Sequence, residues 1–252
     1  MTERTTTGDL HGVRYEHASM RDARFVEVDL RGVVMRGVDL AGGDLDAPWL
    51  LDGESTLLVN GVDVAPLVEA ELCRRMPGRA LRRAPDPEGL REAWRAVEDA
   101  WAAAVRRAEG MPGRAVDVSV DGEWSFAQTL RHLVMATDTW LRGAILGIER
   151  PFHPIGQPDG SYAAQGGDAA TFSETSPEWS TVLAVRADRV GMVRDLLASI
   201  DADGLAAPRR NPWEPAREET VRSCIHVILE EEWEHLRFAL RDLVALDEAA
   251  AG

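Results

Sequence analysis

The chain has 252 residues, room for one large domain or two small ones, and its 45% hydrophobic content is enough for a core. A net charge of −15 argues against broad attraction to nucleic acid or anionic lipid, which needs a basic surface. All 28 basic residues are arginine, which excludes a lysine Schiff base and the phosphate-binding P-loop lysine.

No apolar run reaches the roughly 18 residues of a membrane span. The N-terminal "MTERTTT" lacks the apolar segment of a signal peptide, and Cys73 and Cys224 make no disulfide framework. A soluble cytoplasmic protein is expected, without nucleic-acid or membrane partners.

Residues 1–54 read as a repeat. Bulky apolar residues fall every five positions at Leu10, Tyr15, Met20, Phe25, Leu30, Met35, Leu40 and Leu45, with small or β-branched residues two positions before seven of them. Neither helix nor strand has a period of five. The stretch "VDLRGVVMRGVDLAGGDL" resembles a pentapeptide-repeat β-helix, a square coil with one pentapeptide per side. Eight repeats make only about two coils, and stacked solenoid units need neighbours to bury their faces. The segment is therefore expected to lean on the adjoining domain, and it is too short to act as a DNA-mimicking acidic rod.

Residues 55–86 predict a hairpin, a short helix and a linker. Leu57–Val59 and Val62–Val64 flank Asn60-Gly61, a strong short-hairpin signal. A short amphipathic helix follows from Pro66 to Met76, and Pro77, Pro85 and Pro87 mark a linker.

Residues 87–252 predict four long helices in an antiparallel bundle. The first, from Pro87 to Glu109, carries the stripe Leu90, Trp94, Val97, Trp101, Val105 and Ala108. The second opens on the capping box Ser125-Phe-Ala-Gln128 and runs to Leu146. The third begins at Ser176-Pro177, and the fourth runs from Glu218 to Asp247. The Gly- and Pro-rich loop from Pro151 to Thr171 is long enough to be functional or mobile.

The fourth helix carries the chemistry. At about 100° per residue with His226 at zero, Glu231 falls near about 140° and His235 near about 180°. Both then lie towards one side of a wide apolar arc. A carboxylate among apolar neighbours is costly unless compensated. A divalent cation compensates it, and Glu and His at i, i+4 can point at one ion. Two other readings compete: a buried hydrogen-bonded pair without metal, and a water-facing acidic stretch. Glu232 also points into the arc, and Asp242 lies in line with the pair. His226 and Glu230 form a second i, i+4 pair, read together with Trp233 and Arg237 as a more exposed face. His132, at the edge of the second helix's stripe, is alone more often a packing residue than a ligand. With Glu231 and His235 it makes a three-ligand set that leaves metal positions open for water or substrate.

The segments "EWSFAQTLRHLVMATDTW" and "HVILEEEWEHLRFALRDL" resemble the DinB-like, or YfiT-like, metal-binding superfamily. "NGVDVAPLVEAEL" with its preceding pentapeptide-like stretch is similar to a two-part actinobacterial version. The resemblance covers nearly the whole chain. It implies an up-down-down-up four-helix bundle with one divalent metal, most simply zinc, with nickel, iron or manganese as alternatives. Most members use three histidines; the mycothiol-dependent branch uses a His, Glu, His set, matched here by His132, Glu231 and His235.

The resemblance implies transfer of a thiol such as mycothiol to an electrophile, or thiol-dependent isomerisation, and allows a homodimer. His153 on the long loop is the candidate catalytic group, against the blander reading of a surface histidine. Trp124 and Trp140 are candidate cofactor-binding walls, and Cys224 is assigned to packing. A metal-dependent hydrolase and a non-catalytic metal-binding or stress protein are the alternatives.

Overall fold

A computed structural model describes residues 8–51, 55–160, 162–163 and 166–251. Residues 1–7 and 52–54, at the ends of the expected repeat segment, lie outside the described residues. The chain divides into two compact units, Met1–Asp46 and Ala47–Gly252.

In the first unit the five-residue period is written in the backbone. Positive φ recurs at Gly12, His17, Asp22, Glu27, Gly32, Gly37 and Gly42. Every tenth residue closes a turn, as Val13, Ala23, Val33 and Gly43 donate to the carbonyls of Leu10, Met20, Leu30 and Leu40. Glycine takes these left-handed positions without strain, whereas His17, Asp22 and Glu27 hold them at a cost. No strand pairs along residues 8–46, and the periodic side chains stay out, from Leu30 at 41% exposure to Leu45 at 63%. The expected β-helix is thus not shown. A five-residue spacing does not by itself bury apolar side chains, which need stacked neighbours to cover them.

The second unit opens with a 3₁₀ turn, Pro48–Leu51, and the expected hairpin. Strands β1 (Leu58–Val59) and β2 (Val62–Asp63) pair antiparallel around Asn60 and Gly61, whose φ values of 52° and 82° suit a tight hairpin turn. Helix α1 (Ala65–Arg75) follows.

The proline-marked segment is more than a linker. It winds into a 3₁₀ turn, Arg79–Arg83, and buries two arginines. Arg79 is 0% exposed and bonds Glu69 and Glu234, and Arg82 bonds Glu69 and Glu230. This corrects the reading of the His226, Glu230 and Trp233 face as exposed. Trp233 is 1% exposed, and His226 Nε2 lies 2.9 Å from the Ala84 carbonyl.

Four helices then form the bundle: α2 (Pro87–Gly110), α3 (Phe126–Thr137), α4 (Trp179–Ser199) and α6 (Val221–Ala251). Asp86 caps α2, accepting from Glu88 and Gly89, with Pro87 in the first turn. The capping box at Ser125 and Gln128 starts α3 as expected. α3 continues into a π-helical turn, Asp138–Ile145, a geometry that widens a helix locally. α2 and α3 each pack on both α4 and α6. Trp94, Trp101, Leu130, Leu133, Val193, Leu197, Ile225 and Leu229 meet in the core. Each such side chain contributes about 1.5–3 kcal/mol on full burial.

Several boundaries differ from expectation, and α6 runs on to Ala251 rather than ending at Asp247. α4 starts after Glu178 rather than at Ser176. Residues Glu218–Thr220 are not helical: they form β4, paired antiparallel with β3 (Pro208–Arg210) after the short α5 (Ala202–Ala206). Among the described residues, no helix is long and apolar enough to cross a membrane.

Burial pushes the Glu69 carboxyl up, but hydrogen bonds from Arg82 and Arg79 overcome this and hold it at about 2. A carboxyl lowered on folding contributes stability that is present above its unfolded value and lost as pH falls through the folded one. Glu69→Gln should therefore lower the urea midpoint at pH 6. The gap to wild type should narrow steadily as pH falls from about 4.3, the ordinary glutamate value, towards 2.

Candidate metal centre

His132 lies on α3, buried and two turns beyond the capped N-terminus. Glu231 and His235 lie one turn apart on α6, with side-chain exposures of 33% and 15%. Because α3 packs on α6, these three residues meet, and their donor atoms all lie within 4.8 Å of one another. Glu231 Oε2 sits 3.1 Å from His235 Nε2 and 3.4 Å from His132 Nε2. Ligands about 2.0–2.2 Å from a tetrahedral zinc stand roughly 3.3 Å apart, so these spacings fit a shared ion.

The orientation of His132 strengthens this fit. Its Nδ1 lies 2.9 Å from the Gln157 carbonyl oxygen, which can only accept. Nδ1 therefore carries a proton, and Nε2 is the ring nitrogen that faces Glu231. A lone pair facing a carboxylate needs a proton or a metal ion between them.

The electrostatics follow from the same contacts. Burial would raise the Glu231 carboxyl, yet hydrogen bonds to His132 and His235 hold it well below the usual carboxylate range. Burial disfavours the charged form of His132, but Glu231 outweighs this and shifts it up. For His235 burial prevails over Glu231, and the shift is down. The trio is thus an anionic carboxylate between two imidazoles, a donor set for a divalent cation of intermediate softness.

The long loop is built into the site. Arg131, adjacent to His132 and buried, donates through Nε to the Ile155 carbonyl at 2.7 Å, and to the carbonyls of Thr175 and Glu174 at 2.8 and 3.2 Å. Gln157 N–H donates back to the Arg131 carbonyl at 3.3 Å. Phe152, Tyr162 and Phe172 pack around Met135 as a small second core. By bonding backbone carbonyls on both arms of the loop, Arg131 pins the carbonyl that orients His132.

The sequence-predicted residues fall into distinct places. Trp124 covers the ligands, its ring 4.6 Å from that of His132 and 5.9 Å from that of His235. Trp140 lines a neighbouring cleft of about 600 Å³, together with His132, Glu231, Asp159, Trp213 and Glu214. His153 does not line that cleft. Its N–H donates to Asp138 at 2.7 Å, and its Nδ1 accepts from Ile155 N–H at 3.3 Å. Asp138, fully buried in the π-helical turn, also bonds Arg189 and Arg142.

Glu232 does point inward, and Arg186 of α4 meets it at 2.5 Å. Asp242 pairs with Arg241 at 2.7 Å. Burial pushes the Cys224 thiol up to about 11, so it is neutral at physiological pH and serves packing. Gln157, Arg131, Trp213 and Glu214 were not foreseen. The only signal was an arginine beside His132 on an otherwise apolar helix face.

A family model described as the DinB superfamily matches residues 70–239. The chain belongs to the DinB superfamily. No curated protein and no solved structure matches it.

Two variants separate ligand from support. His235→Ala should abolish stoichiometric zinc binding in equilibrium dialysis while far-ultraviolet circular dichroism stays unchanged. Arg131→Ala keeps all three ligands, and should weaken zinc binding by on the order of 10–100-fold, as loss of an orienting contact does.

Proposed function

We propose that this chain is a divalent-metal-dependent enzyme that transfers a low-molecular-weight thiol, mycothiol or a chemical relative, to an electrophile. The observation that carries this reading is the open side of the three-residue set: His132 and Glu231 belong to a group that could hold a metal and also line a cleft of about 600 Å³. That is room for a small molecule beside the ion. His132, Glu231 and His235 would hold the metal, with zinc the simplest choice for two imidazoles and one carboxylate.

A bound divalent cation lowers the pKa of a coordinated thiol and keeps it as thiolate at neutral pH. The protein's own groups then position the reactants. Trp124 shields the imidazoles on one side. Trp140 and Trp213 offer apolar walls against which an electrophile can lie. Asp159, which accepts from the Tyr162 N–H at 3.1 Å, adds a carboxylate to the same cleft. His153, held by Asp138 and Ile155, serves better as a loop anchor than as a base. Thiol-dependent isomerisation would use the same groups.

We also read residues 1–54 as a pentapeptide-repeat segment, supported by the five-residue spacing of positive φ from Gly12 to Gly42.

The same open site would serve water in a hydrolase, so thiol dependence is the deciding property. Zinc-loaded protein should form an adduct between a thiol and chlorodinitrobenzene, followed by absorbance, with the rate lost on chelation and in Glu231→Gln. Turnover of ester or amide substrates without any thiol would favour the hydrolase instead. A chelator that unfolded the bundle would favour a structural, non-catalytic metal.

A further inference from the structure

The cleft beside the ligands has a chemical character of its own. Trp140 and Trp213 line it with the carboxylates Asp159 and Glu214. Among the described residues that line it there is no arginine, and its one histidine, His132, belongs to the ligand set. Away from the metal, the charged side chains that line it are the carboxylates of Asp159 and Glu214, set among the indoles of Trp49, Trp140 and Trp213. An organic cation is favoured by both.

The Trp213–Glu214 pair is a prepared surface rather than a loose tip. Both residues sit in the connection between β3 and β4. Asn211, buried to 7% exposure, accepts through Oδ1 from the backbone N–H groups of Trp213 and Glu214, each at 2.9 Å. Its Nδ2 donates to Glu219 Oε1 at 2.9 Å, and Glu219 is itself buried in β4 and paired with Arg217. Tyr162 from the long loop meets the Trp213 ring edge-on, with centroids 5.9 Å apart. Yet Trp213 remains 42% exposed, so burial in the core does not account for a tryptophan there. The backbone of both residues is thus held by a buried amide before any ligand arrives, which lowers the ordering cost of binding.

We propose that this part of the cleft binds the ammonium group of a substrate whose other end reaches the metal, so that the substrate is a thiol or electrophile bearing an organic cation. The inference rests on the metal-and-thiol reading above for the second half of that statement only.

Three thiols that differ at the far end test it on the zinc-loaded full chain: thiocholine, its neutral tert-butyl analogue in which carbon replaces the ammonium nitrogen, and mercaptoethanesulfonate. Binding is read by tryptophan fluorescence quenching and calorimetry, without turnover. Thiocholine should bind about tenfold more tightly than its neutral analogue, with the sulfonate weakest. Glu214→Gln and Trp213→Ala should each reduce that preference. Equal binding of thiocholine and the neutral analogue, or tightest binding of the sulfonate, would overturn the proposal.

Benzyltrimethylammonium, which carries no metal donor, separates the two readings. If it binds with dependence on Trp213 and Glu214 while no thiol binds, the cation site stands and the thiol reading falls. If it does not bind while thiols bind regardless of charge, the cation site falls and the thiol reading stands.

Discussion

The Glu231 carboxylate, flanked by two imidazoles where α6 meets α3, is the constraint around which this structure is arranged. A carboxylate removed from most of its water is stable only with a compensating charge or a full set of donors. Here its close partners are His132 and His235, and the Nδ1 of His132 is turned away to the Gln157 carbonyl. The donor atoms of the three residues lie within 4.8 Å of one another, around one point. A divalent cation at that point satisfies all of them, and its own charge offsets the cost of bringing them together.

The rest of α6 shows how such a site is insulated. Its acidic run is dispersed around the helix, and each carboxylate is met by a different partner. Glu230 goes to Arg82, Glu231 to the two histidines, Glu232 to Arg186 and Glu234 to Arg79. Buried ion pairs of this kind add little net stability, but removing one partner strands a charge at several kcal/mol. They therefore fix the rotation of α6 about its axis, and with it the direction of Glu231 and His235. Arg131 does the same for the loop on the other side of the site, through three backbone carbonyls.

Much of this was legible in the sequence because it depends on local periodicity. The helix start at Pro87, the capping box from Ser125 to Gln128 and the turn at Asn60-Gly61 are short-range signals, and each appears where expected. Angular spacing along α6 was enough to put Glu231 and His235 on a common face. What escaped reading depends on partners far along the chain. The arginines between Pro77 and Pro87 look like linker residues until Glu69, Glu230 and Glu234 are brought to them. Glu218–Thr220 carries acidic residues that suit a helix start, yet pairing with Pro208–Arg210 makes it a strand. The Gln157 carbonyl is a backbone atom and carries no residue-type signal at all. The five-residue repeat was visible, but its period alone could not say whether two coils bury their apolar side chains.

The claim that three side chains share one ion is tested most directly by X-ray absorption at the zinc edge on the protein loaded with one equivalent of zinc and no added thiol. The account predicts two imidazole nitrogens and one carboxylate oxygen at about 2.0–2.2 Å, with a light atom completing the shell. A sulfur shell, or oxygen ligands without imidazole scattering, would contradict it.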